Sequence, residues 1–298
     1  MQAAVVALLL PLTAGAAEAE ALPSGRSAAE SRATIDDVAQ RVKSRWGVEI
    51  DRAAYQVKDI DGDAWVLPRG ADIDVTHETR PDGSRQVSFS MTADSLPAGS
   101  GPPAGTGTGA GVRQDGTAWY TPFCAARIGD QHGVGWMDKC TQYGRITYLD
   151  SVTTVMKMWA SCGALDGGPD FWEVDECYVE NRWDPGQAVW ADYQPRSTVP
   201  LSNCGDIPLS VSSGPFSLGT VIRTCEKLVP TPGAHPPNFK ATWIGDSYWG
   251  TDVRETGFLI AYRVNNPNAP VRGPGDAWGY VYSECNPPPQ IIDQCDWF

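Results

Sequence analysis

The pattern of apolar and polar positions divides the chain into an early helix and a long series of short strands. Between Ile35 and Trp46, apolar side chains recur every three or four residues, as on one face of an α-helix. Thr34 precedes this run as a candidate cap, and Gly47 follows it as a stop signal. The pattern therefore predicts a helix over residues 34–46.

Short alternating runs follow the helix as far as residue 96. A Pro-Asp-Gly sequence at 81–83 separates two of them, and a turn of this composition commonly joins neighbouring strands. We expect these strands to form a small sheet packed on the helix, so that residues 34–96 make a small α+β region. A removable pro-segment is an alternative interpretation of the same residues.

Residues 97–111 have the sequence PAGSGPPAGTGTGAG, in which no side chain is large and apolar enough to anchor a core. Gly, Pro, Ser and Thr in this proportion are typical of a flexible linker. We place a domain boundary here and a second domain over residues 112–298. The cysteines of the chain all lie in that second domain.

The second domain consists of short apolar runs separated by clusters of Gly, Pro, Asn and Asp. The runs are rich in Val, Ile, Thr, Tyr and Trp, as strands are, and none keeps a helical period. The candidate strands are 117–123, 143–149, 152–160, 171–179, 187–193, 207–212, 217–225, 240–249, 256–264 and 278–284. This pattern predicts a mainly β fold, with a disulfide-stabilised antiparallel β-sandwich or jelly roll behind the small α+β region.

Composition narrows the classes of partner. Hydrophobic residues make up 42% of the chain, which is typical of a packed globular protein, and the formal net charge is -13. Nucleic acids and anionic membrane surfaces attract proteins that carry a surplus of Lys and Arg. The charge therefore argues against nucleic acid as a partner and disfavours an anionic membrane surface.

The first residues resemble a secretion signal. An apolar run from Ala3 to Leu12 precedes small residues that fit a signal-peptidase site. The run is too short to span a bilayer. We expect a signal peptide over residues 1–19, a flexible segment over 20–33 and an exported, extracellular protein with no membrane span.

Cysteine usage supports export independently. Eight cysteines occur and none belongs to a CxxC motif, so they indicate disulfides rather than a metal site. If neighbouring cysteines pair across hairpins, the bridges are Cys124 to Cys140, Cys162 to Cys177, Cys204 to Cys225 and Cys285 to Cys295. Each bridge would restrict the unfolded chain and add roughly 2 to 4 kcal/mol of stability.

Carboxylates and aromatic rings are mixed between residues 166 and 183. In a strand over 171–179, Glu173 and Asp175 lie on one side roughly 7 Å apart, within the range of paired carboxyl groups in inverting glycosidases. Because acid and base must flank the bond from opposite sides, such a pair would need a partner from another strand. An edge strand with solvated acids is the simpler interpretation.

Other candidates for chemistry are a histidine and three aspartates. His132 is a candidate general base, although a turn histidine beside an aspartate more often makes hydrogen bonds. Asp166, Asp170 and Asp175 could offer oxygen ligands to calcium, but their spacing fits no EF-hand loop. We therefore expect no cofactor, with calcium as the alternative.

Tryptophan is abundant, with twelve in the chain. Trp183, Trp249 and Trp278 lie next to Asp, Gly or Ala in polar, turn-like contexts. Exposed rings flanked by hydrogen-bonding groups can stack on sugars, whereas buried ones fill the core of a sandwich. We expect at least two exposed tryptophans on one face, as ligand-binding residues.

These features favour an exported binding or interaction module for glycans or another cell-surface component. A secreted hydrolase is the main alternative, either a glycosidase using Glu173 or Asp175 or a protease with an N-terminal pro-segment. A surface protein with a purely structural role is the third hypothesis. A concave site with convergent polar groups would favour the enzyme, and exposed aromatic rings would favour the binding module.

Overall fold

The computed structural model describes residues 28–93, 116–128, 135–149, 151–164, 171–183, 186, 188–233, 238–247, 253–264 and 275–285. The protein is mainly β within these ranges, with one α-helix and antiparallel sheets. This confirms the fold class that the sequence predicts. The predicted signal peptide at 1–19 and linker at 97–111 lie outside the described residues.

The helix α1 spans Ala28–Trp46 and starts earlier than predicted. Thr34 does not cap it, because its hydroxyl donates to the Glu30 carbonyl, 2.7 Å away, from inside the helix. Residues 28–33 of the expected flexible segment are therefore helical. The predicted end is correct, since Gly47 has a φ of 67° and its N–H donates to the Lys43 carbonyl at 2.8 Å.

In the described part of the chain, seventeen strands and a short 3-10 turn at Arg52–Ala54 follow the helix. The strands are β1 Tyr55–Ile60, β2 Asp63–Pro68, β3 Ala71–Thr79, β4 Arg85–Ala93, β5 Gly116–Trp119, β6 Phe123–Ile128, β7 Gly135–Tyr148, β8 Ser151–Ala164, β9 Phe171–Arg182, β10 Ala188–Gln194, β11 Val199–Pro200, β12 Gly205–Ser213, β13 Phe216–Thr224, β14 Lys227–Pro232, β15 Phe239–Ser247, β16 Arg254–Val264 and β17 Gly275–Cys285.

Two sheets and one separate hairpin contain these strands. Sheet A has the order β1-β2-β6-β7-β8-β16-β10, with β5 also paired to β7. Sheet B has the order β11-β14-β15-β9-β17-β4-β3. Strands β12 and β13 pair with each other as a two-stranded sheet, which we call the hairpin (Gly205–Thr224).

The N-terminal strands belong to the same two sheets as the rest of the chain. Strand β2 pairs with β6 through Val66 and Ala126, and β4 pairs with β17 through Phe89 and Trp278. The four strands that were expected to form one small sheet on the helix are therefore divided, with β1 and β2 in sheet A and β3 and β4 in sheet B. Strands from before and after the predicted linker thus pair in both sheets, β2 with β6 in sheet A and β4 with β17 in sheet B.

The main core lies between the two sheets, where alternate side chains point inward. Aromatic rings pack against one another in it: Trp65 lies edge-on to Phe89 with ring centroids 4.9 Å apart, and Phe89 contacts Trp278 at 5.8 Å. A second cluster lies between α1 and the outer face of sheet A, where Val38 and Val42 pack with Trp159. The helix thus covers one part of that outer face.

Buried ion pairs connect these layers. Arg41 and Arg45 of α1 both bind the Asp138 carboxylate of β7, at 2.8 and 3.2 Å. In the core, Lys139 is fully buried and its ammonium lies 2.5 Å from the Asp276 carboxylate of β17. Burial raises the pKa of Asp138, and the two arginines oppose that effect. Removing one partner of such a pair leaves an uncompensated charge.

Three disulfides join neighbouring cysteines, as the spacing predicts. Cys124–Cys140 links β6 to β7, Cys162–Cys177 links sheet A to sheet B, and Cys204–Cys225 closes the base of the hairpin. The predicted Cys285–Cys295 bridge lies outside the described residues at Cys295. The three bridges are consistent with an extracellular protein.

Candidate functional site

The tryptophans expected to bind ligand are in the core wherever the structure describes them. Trp183 is 3% exposed and packs against Tyr262 at a ring-centroid distance of 5.1 Å. Trp278 is fully buried and packs against Trp65 at 6.4 Å. The expectation that these two rings are exposed is wrong, because both occupy inward positions of the sandwich. Trp249 lies outside the described residues.

The paired carboxylates of β9 lie on one side of the strand. Ser283 of β17 lies 3.2 Å from Glu173 Oε1 and 3.2 Å from Asp175 Oδ1, so its single hydroxyl proton can serve only one of them at a time. Glu173 is buried, whereas Asp175 is half-buried. This arrangement holds the two carboxylates side by side, whereas a glycosidase needs its acid and base on opposite sides of the bond.

Most of the other predicted site residues lie outside the described residues. His132, Asp166 and Asp170 lie outside the described residues, so only Asp175 of the calcium set has a described position. Among the described residues, no three His, Cys, Asp or Glu side chains come together as metal ligands do.

The two strands of the hairpin alternate between inward and outward side chains: the inward ones are buried or half-buried and the outward ones are exposed. Each strand is nine residues long. The inward face carries mainly apolar side chains: Ile207, Leu209, Val211, Leu218 and Ile222. The outward face carries Pro208, Ser210, Ser212, Ser217, Gly219 and Val221. The hairpin is therefore an amphipathic two-stranded ribbon.

Charge is excluded from almost the whole hairpin. No charged residue occurs between Asp206 and Arg223, although charged residues make up 20% of the chain. These two residues face each other across the strands at the base, next to the Cys204–Cys225 bridge. The charges and the covalent link are thus concentrated at one end, and the other end and the middle are neutral.

The apolar face of the hairpin packs on the outer face of sheet A. Ile222 lies over Gly257 of β16, where a Cβ added to the glycine would be 2.6 Å from Ile222 Cδ1. Leu218 lies over Gly144 of β7 in the same way, at 3.1 Å. Glycines let the hairpin approach the sheet closely at these points. The hairpin therefore covers a second part of the outer face, over β7 and β16.

Hydrogen bonds hold the rim of the hairpin to sheet A, and each involves a side chain. Near the tip, the hydroxyl oxygens of Thr153 and Ser213 are 2.8 Å apart. Along β12, the Ser212 N–H donates to Asp192 Oδ2 at 3.0 Å. At the base, the Thr224 hydroxyl donates to the Glu255 carbonyl at 2.5 Å. Undocking the hairpin would break these contacts without breaking the ladder of either sheet.

Glu255 connects the hairpin to the helix. Its carboxylate accepts a hydrogen bond from Trp46 Nε1 of α1 at 2.9 Å and another from the Arg223 backbone N–H of the hairpin. Burial raises the pKa of Glu255, and the hydrogen bond from Trp46 and the charge of Arg45 partly offset the rise. Nearby, burial lowers the pKa of Lys157 to about 8, and its ammonium lies over the Trp159 ring at 4.1 Å.

The sequence already contained a signal for this site. The runs 207–212 and 217–225 are predicted strands, and β12 and β13 confirm both. The alternation in 207–212 and the absence of charge from 207 to 222 mark them as an amphipathic pair. What the pattern does not tell is whether the apolar face packs between two sheets or on the outside of one.

Comparisons with known proteins identify no relative. No protein family matches the sequence, and no curated protein matches it either. Among solved structures, the chain is similar to the Clostridium perfringens delta-toxin, with 8% sequence identity, 78% of each chain covered and a TM-score of 0.13. A similarity at this level carries no conclusion about fold or function.

Within the described ranges, no helix combines the length and hydrophobicity needed to pass through a bilayer.

Proposed function

We propose that the chain is an exported interaction protein that acts at cell surfaces and contacts them with the hairpin. In this proposal the hairpin leaves sheet A and lays its apolar face into a zwitterionic lipid surface. The observation that carries the proposal is the nine-residue alternation of both strands, together with the absence of charge between Asp206 and Arg223.

The chemistry of the two hairpin faces suits a lipid interface. Ile207, Leu209 and Leu218 would enter the acyl chains. Burying each such side chain is worth roughly 1.5 to 3 kcal/mol relative to water, so the lipid would replace the burial that sheet A gives them in the docked state. Ser210 and Ser212 on the opposite face would stay in the headgroup layer with water. The outer edges of the strands would lie flat at that level, where their N–H and C=O groups keep hydrogen-bond partners.

Charge selects the kind of lipid. The net charge of -13 repels anionic headgroups, whereas phosphatidylcholine carries no net charge. The middle of the hairpin has no Lys or Arg that could bind an anionic headgroup. We therefore propose a zwitterionic surface as the partner.

A glycan partner has less support than a lipid one. The glycan hypothesis depends on exposed aromatic rings, and Trp183 and Trp278 are core residues. The glycosidase form of the hydrolase hypothesis depends on opposed carboxylates, and Glu173 and Asp175 share one hydroxyl on one side of β9.

The test uses the full exported chain and phosphatidylcholine vesicles. A fluorophore is attached through cysteine at Thr220, on the inward face of the hairpin, or at Ser210, on its outward face. With lipid-borne quenchers in the vesicles, we expect strong quenching from position 220 and little from position 210. Equal quenching at both positions, or no sedimentation with vesicles, would overturn the proposal.

A staple provides the matched control. Because the hydroxyl oxygens of Thr153 and Ser213 are 2.8 Å apart, a Thr153→Cys, Ser213→Cys double variant can form a bridge between sheet A and the hairpin. The single Ser213→Cys variant has the same new side chain and no bridge. We expect the stapled protein to lose vesicle binding and the single variant to retain it.

A further inference from the structure

We infer that Asp192 is the latch that keeps the hairpin docked on sheet A. Its effect on docking is inferred from its hydrogen bonds to Ser212, whereas its effect on vesicle binding rests on the proposed function. Asp192 is a positioning residue in this scheme, because it holds the hairpin and does not itself contact lipid.

The backbone of β10 aims this carboxylate at the hairpin. The register between β10 and β16 shifts between Trp190 and Asp192, and such an irregularity redirects the next side chain. Asp192 Oδ2 then lies 3.0 Å from the Ser212 nitrogen and 3.4 Å from the Ser212 hydroxyl. Both contacts reach the outer edge of β12, near its tip.

The second carboxylate oxygen is fixed on the β10 side. Asp192 Oδ1 accepts hydrogen bonds from Arg196 Nη2 at 2.5 Å and from the Tyr193 N–H at 2.8 Å. Asp192 is buried, whereas the Arg196 side chain is 63% exposed. The carboxylate is therefore held in place by its own segment and presents one oxygen to the hairpin.

The contact between Asp192 and Ser212 matters for docking because it lies near the tip of the hairpin. The Cys204–Cys225 bridge joins the two ends of the hairpin, and the chain continues from them into β11 and β14, which pair in sheet B, so undocking proceeds by the tip moving away. Ser212 is close to the tip and far from that restraint. A charge-assisted bond at the free end opposes this motion more effectively than one at the base.

The experiment measures docking without lipid. Val211 is fully buried on the inward face of the hairpin, so a Val211→Cys variant reacts with a maleimide only when the hairpin undocks. Replacing Asp192 with Ala in this background should raise the labelling rate about tenfold or more, as expected for a hydrogen bond to a charged group. Asp192→Asn, which keeps an acceptor oxygen, should give an intermediate rate.

Asp206→Ala is the matched control, because Asp206 is an exposed carboxylate at the base of the same strand. It should leave the labelling rate unchanged. Equal rates for wild-type and Asp192→Ala backgrounds would overturn the latch and leave the lipid proposal standing. A tenfold rise without any vesicle binding would support the latch and overturn the lipid proposal. If the Ala variant does not fold, the Asn variant decides.

Discussion

Ile222 of the hairpin lies directly over Gly257 of β16, so close that a Cβ on the glycine would be 2.6 Å from Ile222 Cδ1. The added Cβ would also be 2.8 Å from the Met158 carbonyl oxygen. This contact shows how the hairpin fits sheet A: a large side chain of one occupies the space left by the missing side chain of the other.

Gly257→Ala should therefore weaken hairpin docking and lower the free energy of unfolding by roughly 1 to 3 kcal/mol, because overpacking forces side chains or backbone to shift. Adding Ile222→Val removes the Cδ1 atom and should recover part of the loss. Urea denaturation of the two single variants and the double variant measures this coupling. Strict additivity would show that Ile222 is not what the new methyl group meets.

Lys157 should make stability rise with pH over an alkaline window. Its pKa in the folded protein is lowered by burial to about 8, against 10.5 when exposed. Between these values the unfolded chain binds a proton that the native protein does not, so stability increases with pH. Below pH 8 the ammonium is charged in both states and the full cost of burying it is present.

Lys157→Met removes this cost, and its advantage over the wild type should be largest at pH 8 and below. The difference should shrink by about 1 kcal/mol for each pH unit above 8 until pH 10. Guanidinium denaturation at pH 7, 8, 9 and 10 gives the difference directly. A constant difference across this range would mean that Lys157 titrates as an exposed lysine does.

Asp276→Asn should be strongly destabilising, because it leaves the Lys139 ammonium charged in the core. The Lys139 ammonium lies 5.3 Å from the Phe123 ring centroid and 5.1 Å from that of Trp278. These cation–π contacts stabilise the charge less than the Asp276 carboxylate does. We expect a loss of roughly 3 to 5 kcal/mol in the free energy of unfolding. Combining it with Lys139→Met should recover most of that loss, and a similar loss in both variants would contradict the charge argument.

Removal of residues 1–111 should prevent folding of the remainder. The truncation takes away β4, the partner of β17, and β2, the partner of β6, and it uncovers Trp278. We expect the product to be insoluble or to lack near-ultraviolet circular dichroism. A chain cut at a protease site inserted in 97–111 keeps both parts and should remain one complex. A soluble, folded 112–298 fragment would revive the pro-segment hypothesis.

Local features could be predicted from the sequence because they depend on neighbouring residues. The end of α1 follows from Gly47, the turn at 81–83 from its Pro-Asp-Gly composition, and the strands β12 and β13 from alternation. The pairing of Cys124, Cys162 and Cys204 with the next cysteine in each case also follows from short separation. Each of these involves a stretch of chain short enough for backbone preference and side-chain period to decide the outcome.

Long-range placement was decided by the tertiary structure. Trp183 follows Arg182 and Trp278 lies between Ala277 and Gly279, yet both are core residues, because burial depends on which face of a strand meets the opposite sheet. The sequence pattern separates 34–96 from the rest at a Gly/Pro-rich segment. In the folded chain, strands from before and after that segment pair with each other in both sheets. Alternation predicts that the hairpin has one apolar face, but only the folded chain places that face on the outside of sheet A, over Gly144 and Gly257 and beside Asp192.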